Sequence, residues 1–234
     1  MNPLSVLKKS DPQLFEYFRE EIEHQHNSLS FIPDENCTSP MCAAIMGRVL
    51  VNSSSKVSIK RMFTLNNLAC ERLCELFGAE HANIRTLTIE AASRVVFQAL
   101  TKRGDVVMSL DLRKREHCNS HDYSYRFANF GVNPQTQQLD LNALAMEAMV
   151  CQPRLIIVSP INYPLDIDYA RLAEIAHQNK ALLWCDISQI AGLVAAGVLN
   201  SPLPHADVVT FTTHGALQGP QCSIILSSAA LGGQ

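Results

Sequence analysis

The stretch that decides the fold is LIIVSPINYPLDIDYARLAEIAHQNKALLWCD, residues 155–186. It opens and closes with short apolar runs, at residues 155–159 and 181–185, which predict strands buried on both faces of a sheet. Between them, apolar residues recur at helical spacing over residues 168–178. A strand, a helix and a second strand in succession are typical of an α/β domain with a largely parallel sheet.

The same alternation continues on both sides of this stretch. Further strands are predicted at residues 83–87, 106–110, 208–211 and 223–226. Further helices are predicted at residues 11–26, 40–46, 91–102 and 140–150, together with a strong helix that Gly78 ends. The first of these helices is expected to begin with Ser10 as its N-cap. No repeat or low-complexity tract interrupts the pattern, so one α/β domain is predicted for most of the chain.

Composition argues against several classes of function. Hydrophobic residues make up 47% of the chain and charged residues 18%, as in a globular protein. The net charge of −3 gives no support to a nucleic-acid partner or an anionic membrane surface. No apolar run approaches the roughly 20 residues of a membrane span, and the charged amino terminus lacks the apolar core of a signal peptide. A cytoplasmic location is therefore expected.

The eight cysteines raise the question of a metal site or of disulfides. No C-x-x-C occurs, Cys70 and Cys74 are four residues apart on a predicted helix, and the other six are scattered. This spacing predicts reduced, mostly buried thiols and no metal site.

Polar residues follow three of the predicted strands, at the edge where ligands bind in open α/β sheets. Asp186 ends one apolar strand, residues 212–215 (Thr-Thr-His-Gly) follow a second, and residues 159–164 (Ser-Pro-Ile-Asn-Tyr-Pro) follow a third. Each has a purely structural alternative: Asp186 could cap the next helix, His214 could be a satisfied, partly buried histidine, and the prolines could set turns. Their coincidence at adjacent strand ends favours a functional site.

Four segments, two of which include these strand ends, resemble motifs of the serine hydroxymethyltransferase family. Residues 186–197, DISQIAGLVAAG, resemble the pattern D-M-A-H-x-A-G-L-[VI]-A-x-G, and residues 212–221, TTHGALQGPQ, resemble T-T-H-K-[ST]-L-[RA]-G-P-R. Residues 35–40, ENCTSP, and 75–83, ELFGAEHAN, resemble S-E-N-[YF]-[TV]-S-P and E-L-F-G-A-x-x-A-N. The matches are collinear over almost the whole chain, which resembles the first part of a member of that family.

The resemblance implies the fold type I architecture of pyridoxal-phosphate enzymes, with a mixed seven-stranded sheet. Residues 1–50 are expected to form an amino-terminal helical arm and residues 51–234 the large α/β domain, with the small carboxy-terminal domain absent. The family moves a hydroxymethyl group between serine and glycine, with tetrahydrofolate as the carrier, and two subunits share each active site. The protein holds the cofactor through a lysine Schiff base, a carboxylate on the pyridine nitrogen and a phosphate site.

Several residues match the positions that the family uses. Asp186 stands where the resemblance implies the carboxylate that pairs with the pyridine nitrogen. His117 falls where the family places the imidazole that stacks on the cofactor ring, although the residues around it are rewritten. Thr213 and His214 stand beside the lysine position, and Tyr163 matches the tyrosine of the family's S-x-Y motif.

The lysine position and the phosphate site are replaced. Gly215 stands where the lysine should be, so that a Schiff base at this position is impossible, and Gln189 replaces the histidine that follows the aspartate. The family's phosphate-binding S-G-S-Q-A-N becomes TIEAAS, which begins at Thr88. Ile89 closes the backbone approach that a glycine allows, and Glu90 would bring a carboxylate beside the phosphate.

The substrate loop is also expected to be lost. The segment that follows Asn52 is several residues shorter than the tyrosine- and glycine-rich loop of the family, and Ile161 occupies the serine position of S-x-Y. The arginine that grips the substrate carboxylate belongs to the part of the family that this chain does not match.

Together these losses predict a pseudoenzyme that binds no cofactor and functions through protein contacts. A homodimer or another protein partner, such as an intact homologue, is expected. The alternative is a residual pyridoxal-phosphate- or folate-binding subunit of serine/glycine one-carbon metabolism, active only with a complete homologue; a decayed fragment is disfavoured by the coherent α/β pattern. The apolar residues 194–199 and 224–231 could lie on the surface that a second domain covers, or residues 222–226 could be an ordinary core strand.

Overall fold

The computed structural model describes residues 3–32, 36–46, 56–110, 125–161 and 163–231. Contacts between residues divide the chain into two units, Met1–Glu35 and Asn36–Gln234. The boundary between the two units, after Glu35, differs from the boundary predicted from the sequence, which placed the end of the helical arm at residue 50. One contact that ties the start of the second unit to the rest of that unit is the hydrogen bond from the Ser39 N–H to the Gln218 carbonyl, at 3.0 Å.

The first unit contains two helices, α1 (Pro3–Ser10) and α2 (Pro12–Asn27). Helix α1 was not predicted from the sequence. Ser10 was predicted as the N-cap of the helix at residues 11–26, which is wrong, because Asp11 caps α2: its carboxylate accepts the Leu14 N–H at 3.0 Å. Ser10 instead ends α1.

Two helices precede the sheet in the second unit. The short α3 (Pro40–Met46) begins where it was predicted, with the Ser39 hydroxyl accepting the Cys42 N–H at 3.1 Å. The long α4 (Lys56–Phe77) ends at Gly78, whose φ of 70° lies in the left-handed region that glycine adopts without steric cost.

Seven strands of the described part of the chain form one mixed sheet in the order β1-β7-β6-β5-β4-β2-β3. Strands β2 to β6 are mutually parallel, whereas β7 is antiparallel to both of its neighbours. The mostly parallel α/β sheet that the sequence predicted is therefore confirmed. The strands are β1 (His81–Thr86), β2 (Val106–Leu110), β3 (Arg126–Phe130), β4 (Leu155–Val158), β5 (Leu182–Asp186), β6 (Val208–Thr212) and β7 (Ser223–Ser227).

Strand β3 was not predicted from the sequence. Its sequence, RFANF, has no continuous apolar run, because Arg126 and Asn129 are exposed. The strand lies at the end of the sheet and pairs with β2 alone. A strand that is only partly covered need not show the apolar run that identified the central strands.

Helices cover both faces of the sheet. Helix α5 (Ile89–Leu100) packs on one face, in a cluster with Trp184. Helices α6 (Leu141–Cys151), α7 (Tyr169–Gln178) and α8 (Ala191–Ala195) contribute to the cluster on the other face. The β5 side chains alternate between these clusters, so that Trp184 faces α5 while Leu183 and Cys185 face the other layer.

Two apolar stretches had been considered as surfaces for a second domain. In the carboxy-terminal one, Ile224 and Leu226 are 2% and 0% exposed and belong to the core, so that the alternative of an ordinary core strand is confirmed. In the other stretch, Val194 is buried and Val198 is exposed.

Candidate functional site

The carboxyl ends of β4, β5 and β6 lie side by side and bring three polar side chains level with one another. Register pairs Asp186 with Thr210 on β6, and Val158 with Cys185, so that Ser159 continues level with Asp186. Neighbouring strands are about 4.8 Å apart. Asp186 and Thr210 share the sheet face of Trp184, toward α5, because strand residues two apart point the same way. We call Ser159, Asp186 and Thr210 the polar row.

Asp186 is the charged member of the polar row and is only 2% exposed. Its Oδ1 accepts two hydrogen bonds from Ser188, one from the N–H at 3.0 Å and one from the hydroxyl at 2.6 Å. A buried carboxylate is costly unless such donors satisfy it. The structural alternative that Asp186 caps the next helix is wrong, because Ile190 is the N-cap of α8 and makes no side-chain capping bond. The Asp186 carboxylate instead accepts the N–H of Ser188, two residues further along the chain, and so forms an Asx turn.

The other members of the polar row differ in how they are satisfied. Thr210 is fully buried, and its hydroxyl oxygen accepts the Trp184 Nε1–H at 2.9 Å. The Ser159 Oγ is buried and has no hydrogen-bond partner within the described ranges. Ser188 and Thr210 were not among the site residues predicted from the sequence. The position of the Thr210 hydroxyl, level with Asp186 on the neighbouring strand, would indicate a site only after the strand register is known.

The residues between β6 and β7 form a tight loop that contains a single 3₁₀ turn, Gly215–Leu217. Gly215 has a φ of 72°, in the left-handed region that costs other L-residues about 1–2 kcal/mol. His214 is exposed. The Thr213 N–H donates to the Cys222 carbonyl at 3.0 Å and its hydroxyl donates to the Pro220 carbonyl, so that Thr213 holds the loop together.

Two glycines allow this loop to pack closely. A Cβ at Gly219 would lie 2.9 Å from the Thr213 carbonyl oxygen, and a Cβ at Gly192 in α8 would lie 2.9 Å from the Ala216 carbonyl oxygen. Both distances are shorter than van der Waals contact. The close packing of α8 against the 3₁₀ turn thus requires glycine at residue 192.

The amino terminus of α5 belongs to the same edge of the sheet, because α5 directly follows β1, which runs parallel to β6. The Thr88 hydroxyl caps the helix by accepting the Ala91 N–H at 3.2 Å. Ile89 is half-buried, and Glu90 is exposed in the first turn. A carboxylate there stabilises the helix dipole but repels an anion at the site where helix termini bind phosphate.

The remaining predicted site residues are placed as follows. The Tyr163 hydroxyl accepts the Leu139 N–H at 3.1 Å, which links the segment after β4 to the segment before α6. Gln189 is half-buried between β5 and α8. His117 lies outside the described residues.

Only Cys185 is buried among the cysteines in the described part of the chain, so the expectation of mostly buried thiols is wrong. The seven cysteines of that part are all free, and no group there of three or more potential ligands could hold a metal ion. Burial raises the pKa of Cys185, and the neighbouring carboxylates of Asp186 and Asp207 raise it further. Burial also raises the pKa values of Cys70, Cys74, Cys151 and Cys222.

None of the helices in the described part of the chain combines the length and apolar content of a membrane span.

Two cavities lie apart from the polar row. One, of about 180 Å³, is lined by β1, α5 and β7 residues that include His81, Val96 and Ser227. The other, of about 590 Å³, lies between the start of α7 and the segment that follows α8, and its lining includes Asp166 and His205. Neither cavity is lined by a residue of the polar row or by Gly215.

Comparison with known proteins gives a consistent result. Residues 7–232 match the family model described as serine hydroxymethyltransferase. A serine hydroxymethyltransferase of Desulforapulum autotrophicum is 35% identical over 98% of this chain and 58% of its own length. The serine hydroxymethyltransferase of Lacticaseibacillus casei is 34% identical over 95% of this chain and 58% of its own length. That of a Synechococcus species is 36% identical over 96% of this chain and 55% of its own length. The chain thus spans a little more than half the length of these relatives.

Proposed function

This chain belongs to the serine hydroxymethyltransferase family, and from that premise we propose that it is a pseudoenzyme that acts as a scaffold or interaction subunit. The observation that carries the proposal is Gly215. It stands where the family motif T-T-H-K has its lysine, and no amine is available there to hold an aldehyde cofactor. The backbone supports this reading, because a φ of 72° suits glycine and disfavours lysine.

The residues at the carboxyl edge do not fit pyridoxal phosphate held in the family's manner. Gly215 offers no Schiff base, and the Thr88 hydroxyl is used as a helix cap. Glu90 adds a negative charge where the phosphate would lie, although its exposure weakens the repulsion through solvent screening. The residues present therefore do not support a catalytic step through this cofactor.

What supports a scaffold role is that residues needed for packing are present where those needed for chemistry are replaced. Gly192 and Gly219 permit the close contacts of α8 and the loop after β6. Thr213, which the resemblance places in the site, here binds the carbonyls of its own loop. These contacts stabilise the fold without contributing a reactive group.

The protein contacts that we propose involve a second copy of the chain or an intact homologue. Helix α2 presents Leu14, Phe18 and Ile22 at four-residue spacing along one side, 42%, 49% and 41% exposed, and no residue of α2 is buried. An apolar stripe on a helix is normally covered. We infer a homodimer through this stripe, in the cytoplasm, in keeping with the seven free thiols of the described residues.

The dimer is tested by light scattering after size-exclusion chromatography. The unaltered chain is expected to have twice the mass of one chain, and the double substitution Leu14→Glu with Phe18→Glu should give the monomer mass. Glu20→Lys, on the same helix but outside the stripe, is the matched control and should remain dimeric. A monomeric unaltered chain at about 100 μM, well above the Kd of stable complexes, would contradict the dimer.

A second candidate function is a residual cofactor- or folate-binding subunit in serine/glycine one-carbon metabolism that a complete homologue activates. The buried carboxylate of Asp186 favours it, because this is the group that the family pairs with the pyridine nitrogen. Gly215 opposes it, because a partner would have to supply the lysine from outside the strand end that positions the loop.

One experiment separates the two functions. The purified protein is mixed with pyridoxal phosphate, passed through a desalting column and examined for visible absorbance before and after glycine or serine is added. The pseudoenzyme should retain no absorbance that responds to the amino acids. Retained, responsive absorbance that Asp186→Ala abolishes would establish residual cofactor binding instead, whereas absorbance unaffected by that substitution would come from lysines elsewhere on the protein.

A further inference from the structure

The turn from Asp186 to Ser188 contains an internal partner for the buried carboxylate. Asp186 Oδ1 accepts two hydrogen bonds from Ser188, one from its N–H and one from its hydroxyl. The hydroxyl bond, at 2.6 Å, has the length typical of a hydroxyl bound to a charged carboxylate. In the pattern that residues 186–197 resemble, an alanine stands at this position, and alanine has no side-chain donor.

The surroundings make this donor important. Asp186 is 2% exposed, between a fully buried cysteine and a fully buried residue of the core, Ile187. The neighbouring hydroxyl of Thr210 is engaged with the Trp184 indole. Burial of a carboxylate in such a position is unfavourable unless donors satisfy it.

We propose that the Ser188 hydroxyl holds the Asp186 carboxylate in place of a ligand, so that the carboxyl edge of the sheet keeps its geometry without a cofactor. Ser188 is thus a positioning residue. The inference rests on the proposed function, since it explains how a family member that does not hold pyridoxal phosphate retains a buried carboxylate at this strand end.

The test compares hydroxyl deletions in the full chain by thermal unfolding. Ser188→Ala removes a hydrogen bond to a charged group and should lower the Tm by roughly 5 °C. Ser159→Ala is the matched control, because it removes a buried hydroxyl that has no partner among the described residues, and its Tm should change by less than about 1 °C. Ser188→Thr retains the hydroxyl and should recover at least about half of the loss.

A double substitution tests whether Ser188 acts through the charge of Asp186. In an Asp186→Asn background the hydroxyl faces a neutral acceptor, so Ser188→Ala should cost at most about half of its effect in the unaltered chain. Equal losses in both backgrounds would overturn the proposal. If Ser188→Ala alone fails to fold, a folded double variant supports the proposal and an unfolded one overturns it.

The single tryptophan gives a local readout that a general loss of stability would not produce. Trp184 is buried two residues before Asp186 on the same sheet face. At temperatures well below unfolding, Ser188→Ala should change the Trp184 emission and Ser159→Ala should not. Unchanged emission and unchanged Tm in Ser188→Ala would overturn the proposal, whereas amino-acid-responsive cofactor absorbance in the unaltered chain would contradict the proposed function instead.

Discussion

Restoring a lysine at residue 215 would test both the backbone and the proposed loss of catalysis. The φ of Gly215 is 72°, and an L-residue held there costs about 1–2 kcal/mol. For a chain of this size, each kcal/mol lowers the Tm by about 2–4 °C. We therefore expect Gly215→Lys to unfold about 2–8 °C lower than the unaltered chain.

The assay is thermal unfolding followed by circular dichroism, with a serine cleavage assay on the same samples. Gly215→Asn is the matched control, because asparagine adopts the left-handed region more readily than other residues with a side chain, and it should lose less stability than Gly215→Lys. Gly215→Lys should also show no transferase activity, since Ile89 and Glu90 leave the phosphate site unsuited to the cofactor.

Two results would refute this reasoning. If Gly215→Lys unfolds at the same temperature as the unaltered chain, the left-handed conformation does not limit which residue fits there. If it cleaves serine in the presence of pyridoxal phosphate, the replaced phosphate site is less damaging than proposed, and the lysine alone separates this chain from an active enzyme.

Further substitutions and conditions test the packing and the buried groups. Gly192→Ala should destabilise the fold by about 1–3 kcal/mol in denaturant unfolding, because its Cβ would lie 2.9 Å from the Ala216 carbonyl oxygen; an unchanged midpoint would mean that α8 moves freely. Thr88→Ala should cost about 1 kcal/mol through loss of the helix cap, and no loss would show that α5 does not depend on it. Burial raises the folded-state pKa of Cys185 above its ordinary value of 9.0, so the folded state keeps a proton that the unfolded state releases, and stability should fall as pH rises above about 9. Cys185→Ala should fall less steeply over that range, and in the native protein at neutral pH a thiol reagent should modify the exposed Cys37 but not Cys185.

Local sequence pattern was sufficient for most of the fold. Continuous apolar runs at residues 155–159 and 181–185 predicted the central strands, and strands β4 and β5 lie there. The pattern failed for α1, for β3 and for the start of α2. In β3, exposed Arg126 and Asn129 interrupt the apolar run, and at α2 the cap is Asp11, one residue beyond the predicted Ser10.

Local sequence pattern predicted only part of the candidate site. Asp186 stands out as a carboxylate at the end of an apolar strand, and the structure places it in the buried polar row. Ser159 and Thr210 join it through strand pairing, and Ser188 joins it through a turn in which its N–H and hydroxyl bind Asp186. Ser159 belongs to a polar segment that the sequence placed after a strand, whereas nothing in the immediate sequence neighbours of Thr210 and Ser188 marks those two residues.

The sequence by itself determined the class of the fold, the family, and the glycine at residue 215. These depend on residue identity and local periodicity, which a single chain displays directly. The tertiary structure alone decided that Gly215 is held at a left-handed φ, that Gly192 lies against Ala216, and that the buried Asp186 Oδ1 accepts two hydrogen bonds from Ser188. Such features depend on register, close approach and burial, which arise only when segments distant in sequence pack against one another.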